Sequence, residues 1–131
     1  MQLYLDSSAL VKLVIHEAES SSLRRYLSRF DDDVRFSAAL SRTELIRAIA
    51  RSGAAHDAII RAHRVLGLLS FVTLTNRLLD EAAAVGPPGL RTLDAIHLAA
   101  ARTAPALRAL ITYDQRLADA ADSLGMRVAT P

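Results

Sequence analysis

Apolar positions along the chain fall into short solid runs alternating with longer stretches of helical period. Leu3-Tyr4-Leu5 reads as a buried strand ending at Asp6, because a run apolar on both sides suits a sheet covered on both faces. Ser8 to Ile15 predicts a short helix with Leu10, Leu13 and Val14 on one face. Ala18 to Phe30 predicts a second, in which Leu23, Tyr26, Leu27 and Phe30 recur at helical spacing. Asp31-Asp32-Asp33 marks an exposed turn before a strand from Val34 to Ser37. Helices follow at Ser41 to Ser52, stopped by Gly53, and at Ala55 to Leu69, the two forming a hairpin. Phe71 to Leu74 fits a strand or an extended link, and Asn76 caps a helix running to about Val85. Gly86-Pro87-Pro88-Gly89 is a loop. Thr92 to Thr103 is apolar almost all round, the pattern of a central helix. Ala109 to Thr112 is a strand, Gln115 to Leu124 a helix stopped by Gly125, and Met126 to Ala129 a last strand.

Strands alternating with helices predict an α/β fold, with a mainly parallel sheet covered on both faces. A chain of 131 residues fits one domain, 1–131. Ligands of such sheets bind beyond the carboxyl ends of the strands. The acids of this chain gain meaning from that rule. Asp6 follows the first strand, Asp114 follows the strand ending near Ile111, Glu44 lies in the first turn of the third helix, and Asp94 in the first turn of the apolar helix. Each also has a plain structural explanation. Ser41-Arg42-Thr43-Glu44 has the form of a capping box, Asp114 and Asp6 suit N-caps, and Asp94 suits the positive end of its helix. Together they say more. A carboxylate in the otherwise apolar Leu93-to-Ala101 stretch is costly unless paired or metal-bound. With no evident Lys or Arg in the same motifs, clustered carboxylates call for a divalent cation, and oxygen-only ligation favours Mg²⁺ or Mn²⁺.

Composition narrows the classes further. There is no cysteine, which excludes disulfides and cysteine-ligated zinc and is compatible with a reducing cytoplasm. No basic-then-apolar leader precedes the first strand. The most apolar stretch, Leu90 to Tyr113, is interrupted by Asp94, His97, Arg102, Pro105 and Arg108, so no membrane span is expected. The net charge of +2 comes from 16 basic and 14 acidic residues, so four acids gathered in one pocket leave about +6 elsewhere, suited to a polyanion. Arg42, Arg47, Arg51, Arg61 and Arg64 stud the third and fourth helices, as a path for a polyanion, a groove for a partner or a solvated face.

Four segments then match a known family in order along nearly the whole chain. Leu3-Tyr4-Leu5-Asp6-Ser7-Ser8 resembles the opening motif of PIN domains, a strand ending in Asp with Ser or Thr two residues on. Thr43-Glu44-Leu45 resembles the second motif, Leu90 to Ala101 the third, and Ile111 to Ala121 the fourth. The resemblance implies a three-layer α/β/α sandwich with four to five central strands, an acidic pocket for one or two Mg²⁺ or Mn²⁺, and hydrolytic cleavage of single-stranded RNA. Compact chains of this length are mostly VapC toxins, usually homodimers held silent by a VapB antitoxin that can push a basic side chain into the pocket. On that basis Asp6 and Asp94 are expected as principal metal ligands, with Glu44 and Asp114 completing the acidic ring. Ser8 and Thr112 would orient a carboxylate or phosphate, and Asp119 is a fifth, peripheral acid. His97 is assigned to the core rather than to proton transfer, and His16, His56 and His63 have no constellation around them. An RNA-processing PIN nuclease without antitoxin and a degenerate PIN interaction module are the alternatives. A receiver domain is rejected because the one lysine, Lys12, lies too early in the chain.

Overall fold

A computed structural model covering residues 1–131 places five strands, all parallel, in the order β3-β2-β1-β4-β5. These are β1 (Gln2–Leu5), β2 (Val34–Ala38), β3 (Ser70–Val72), β4 (Leu107–Ile111) and β5 (Val128–Ala129). The helices are α1 (Ser7–Val14), α2 (Ser20–Arg29), α3 (Leu40–Arg51), α4 (Asp57–Leu66), α5 (Asn76–Ala83), α6 (Thr92–Ala101) and α7 (Gln115–Ser123). The alternation of strand side chains sorts the helices into two layers. Leu3, Leu5, Ala109 and Ile111 pack with α1 to α4 on one face. Tyr4, Phe36, Ala38 and Leu110 pack with α6 and α7 on the other. Helix α5 lies outside α6, joining Leu78 and Ala82 to Ala95, Ile96 and Ala99. Helix α6 is buried continuously from Asp94 to Ala101, as its all-round apolar pattern requires.

Several boundaries differ from those predicted, each for a local reason. Helix α2 begins at Ser20 rather than Ala18: the fully buried Ser20 hydroxyl donates to the Ile15 carbonyl and accepts from the Glu17 N–H, holding the α1–α2 turn open. Helix α4 ends at Leu66, and the segment after it turns into the edge strand β3, which settles Phe71 as part of a strand. Thr75, not Asn76, caps α5, its hydroxyl accepting from the Leu78 N–H at 3.1 Å. The anticipated capping box on α3 is absent. That helix starts at Leu40 without a side-chain cap, the Ser41 hydroxyl turns to Ser37, and Glu44 is drawn elsewhere.

Opposite the carboxyl edge of the sheet, Asp33 knits three strands together. It sits just before β2 and accepts from Arg108 of β4, while the ammonium of Met1, the residue before β1, stands 3.4 Å away. Arg108 also stacks over the Phe30 ring, 4.0 Å from its centroid. No helix is long and apolar enough to cross a membrane.

Candidate active site

At the carboxyl edge, four separate elements deliver acids to one cavity of about 300 Å³. Asp6 leaves β1, Asp114 follows β4, Glu44 comes from the first helical turns of α3, and Asp94 from the first turn of α6. Ser8 also lines the cavity, as does His97. Thr112 stands just behind it. Asp119 is not among these groups: it lies on α7, bonded to Gln115, and faces a neighbouring cavity.

Asp6 is 3% exposed and is held at both oxygens. Oδ1 accepts from Ser8 Oγ at 2.6 Å and from the Ala9 N–H at 3.0 Å, which makes Asp6 the N-cap of α1 as well as a pocket acid. Oδ2 accepts from Thr112 Oγ1 at 2.6 Å. Burial pushes the Asp6 carboxyl above its ordinary range, with the Ser8 and Thr112 bonds opposing the shift. No Lys or Arg touches it. Ser8 and Thr112 thus each donate a hydrogen bond to Asp6, one to either carboxylate oxygen. Ser8 Oγ also accepts from the Tyr113 N–H and Thr112 Oγ1 from the Asp114 N–H, so the two hydroxyls fix the strand exits that carry Asp6 and Asp114.

Glu44 is positioned by a buried chain that starts in the sheet. Tyr4 lies on the α6 side of β1 because strand residues alternate, and its hydroxyl accepts from the Ala38 N–H at 3.2 Å. Burial holds the Tyr4 phenol far above its usual range, so it remains a donor. It sits 2.6 Å from His97 Nδ1, and His97 Nε2 sits 2.7 Å from Glu44 Oε1. A phenol donating to Nδ1 leaves the ring proton on Nε2, where it is given to the Glu44 carboxylate. His97, 3% exposed, is therefore a core histidine as expected, but one whose outer nitrogen aims a pocket acid. Tyr4 carried a legible signal: a polar tip within a strand buried on both faces needs a partner.

The expectation of a pocket without a basic partner is overturned. Arg91 donates from Nε to Asp94 Oδ2 and from Nη2 to Asp114 Oδ2, both at 2.7 Å. It stands three residues before Asp94, a spacing that brings side chains together at a helix start, and that spacing was the overlooked signal. Asp114 also caps α7, accepting from the Arg116 and Leu117 N–H groups. Partial burial pushes its carboxyl upward, and these two N–H groups together with Arg91 outweigh that and hold it below its ordinary value.

The donor chemistry fits a hard divalent ion. The acids offer only oxygen, the buried Asp6 carboxylate has no basic partner, and two others already share a cation in the form of the guanidinium. As the side chains stand, no three acids or histidines are arranged to hold one ion.

A family profile described as the PIN domain matches residues 3–123. The chain belongs to the PIN-domain family. Ribonuclease VapC46 of Mycobacterium tuberculosis is 47% identical over 130 residues, covering 98% of this chain and 97% of that one. Ribonuclease VapC47 of the same species is 39% identical over 132 residues, covering 98% and 96%. Among solved structures, the sarcin-ricin-loop-cleaving toxin VapC20 of Mycobacterium tuberculosis superposes with a TM-score of 0.76 at 16% identity, over 99% of this chain and all of that one. A protein from Pyrobaculum aerophilum gives 0.61 at 19% identity, over 92% and 79%. The PIN assignment agrees with the five-stranded parallel sheet between two helical layers.

Proposed function

We propose that this chain, an endoribonuclease toxin of the VapBC kind, hydrolyses single-stranded RNA with Mg²⁺ or Mn²⁺ held among Asp6, Glu44, Asp94 and Asp114. The observation that carries the reading is the convergence of these four acids, from four elements, on one cavity at the carboxyl edge of the sheet. When bound, the ion supplies Lewis-acid chemistry for phosphodiester hydrolysis. The protein's part is orientation. Ser8 and Thr112 fix both oxygens of Asp6, and the Tyr4–His97 chain fixes Glu44. Asp94 projects from the first turn of the most deeply buried helix, so its backbone has little freedom. A VapB-type antitoxin is the expected partner and a homodimer the expected assembly, in a cytoplasmic setting.

The test is Asp6→Asn and Asp94→Asn, assayed for RNA cleavage with and without Mn²⁺. Each should lower metal-dependent cleavage by about 10²-fold or more while circular dichroism stays native. Normal cleavage by either variant removes that residue from the mechanism. Retention of all four acids favours an enzyme over a degenerate interaction module.

A further inference from the structure

Arg91 is the one Lys or Arg side chain lining the acidic cavity. Its two hydrogen bonds use one oxygen of Asp94 and one of Asp114, acids delivered by different elements. The guanidinium therefore stands where two of the proposed ligands converge. Nothing buries it there: the side chain is 51% exposed and also lines a second cavity of about 470 Å³, with Leu90, Arg116 and Asp119. Its backbone is extended, immediately before α6, so the side chain can turn from one cavity to the other without unwinding the helix. The pairing raises the guanidinium's own pKa, chiefly through the bond to Asp94, so Arg91 stays charged.

We infer that Arg91 is a positioning residue that acts as an internal counter-cation, bridging Asp94 and Asp114 in the metal-free protein and giving them up when a divalent ion enters. This rests on the divalent-ion reading of the cavity. Two carboxylates facing one cavity repel when ionised, and a forked guanidinium satisfies both at once, as a single ammonium point charge does not. The bridge keeps the empty site folded and charge-balanced. It also makes the ion compete with a tethered cation for two of its ligands, which weakens binding below what the acids alone would give. The arrangement explains why no three ligands are gathered on one point, since two of the four acids are already engaged.

Calorimetric titration of Mn²⁺ into the wild type, Arg91→Gln and Arg91→Lys tests this without reference to cleavage. Arg91→Gln should bind Mn²⁺ about tenfold more tightly, the effect of removing two part-exposed ion pairs that oppose binding. Its metal-free melting temperature should fall, and Mn²⁺ should raise that temperature by more than in the wild type. Arg91→Lys keeps the charge but loses the fork, so it should bind with intermediate affinity and reads the effect should Arg91→Gln fold poorly. Equal affinity in all three proteins overturns the inference and leaves the divalent-ion reading intact. Tightening in Arg91→Gln with Arg91→Lys matching the wild type overturns it in favour of simple charge repulsion. No Mn²⁺ uptake by any of them overturns both.

Discussion

Asp6 concentrates the problem the site has to solve, because a carboxylate 3% exposed costs several hydrogen bonds to keep in place. Thr112 is its most consequential partner: fully buried, it donates to Asp6 Oδ2 and accepts from the Asp114 N–H, so one hydroxyl holds two acids. Thr112→Val keeps the shape and removes both bonds. It should destabilise the protein by about 1–3 kcal/mol, the cost of leaving buried polar groups unpaired, and lower cleavage; urea unfolding with a kinetic assay checks both. His97→Ala should reduce cleavage less than Asp94→Asn does, since it frees Glu44 without deleting it, and Tyr4→Phe should reproduce part of that effect. If both variants cleave like the wild type, Glu44 needs no such aiming. At this scale the sequence was legible where a residue's place follows from an element boundary. Asp6 and Asp114 mark strand exits, and Asp94 is an acid in an apolar helix. Glu44 seemed explained by a capping box, yet it is turned inward by a histidine 53 positions away, and no local pattern encodes so distant a partner. Arg91 was hidden for the opposite reason, since an Arg–Asp pair at i,i+3 on a helix start ordinarily means a solvated surface pair.

The elements that carry these residues depend on features remote from the chemistry. The loop before α6 turns at Gly86, whose φ of +74° suits glycine, and a Cβ added there would lie 2.9 Å from Leu90 Cδ2. Leu90 directly precedes Arg91. Gly86→Ala should cost about 1–2 kcal/mol from the left-handed backbone alone, and Leu90 must also shift. Thermal denaturation reads the stability, and an unchanged melting temperature would show that the loop absorbs the strain. At the opposite edge, Arg108 and the Met1 ammonium hold the Asp33 carboxyl below its ordinary range, the Arg108 bond first. The sign follows from linkage: a depressed carboxyl contributes stability above its unfolded value of about 3.9, and that contribution disappears as pH falls through the lower folded value. Asp33→Asn should therefore lie below the wild type in stability at neutral pH, and the two curves should converge as pH falls below about 4. Parallel curves down to about pH 2 would detach Asp33 from the acid response. Element order and type were readable from periodicity except at Phe71 to Leu74, where a strand and an extended link both fitted and the structure forms the edge strand β3. Boundaries were not, because Ser20 and Thr75 were decided by which neighbouring backbone group each hydroxyl could reach.

Across the whole molecule the charges separate as the composition suggested, with one amendment. Arg91 belongs inside the pocket, so fifteen basic and ten acidic residues remain outside, a balance of about +5. Part of that excess has a direction. Glu44, Arg47 and Arg51 fall three and four residues apart on α3, a stripe that starts at the cavity and runs away from it. Arg47 and Arg51 are exposed and make no ion pair, whereas Arg61 on α4 is tied to Asp57 and to the Val14 carbonyl and is taken up by structure. Arg42 lies over the Phe71 ring, 5.1 Å from its centroid, exposed beside the same helix start. On the proposed reading, a strand of RNA that reaches the cavity along α3 passes this stripe before meeting the acids. Six aromatic residues in the chain, with Tyr4 and Phe36 in the core, leave little for base stacking, so backbone charge must supply most of the affinity. Replacing both Arg47 and Arg51 by Gln should weaken binding of single-stranded RNA to the metal-free protein, measured in chelator so that no cleavage intervenes. The dependence of log affinity on log salt should become shallower by about 0.7 for each phosphate no longer neutralised, or about 1.4 for the pair. The fold should be untouched, because both side chains are solvated. An unchanged salt slope would place the RNA on another face and leave this stripe to solvent or to a protein partner.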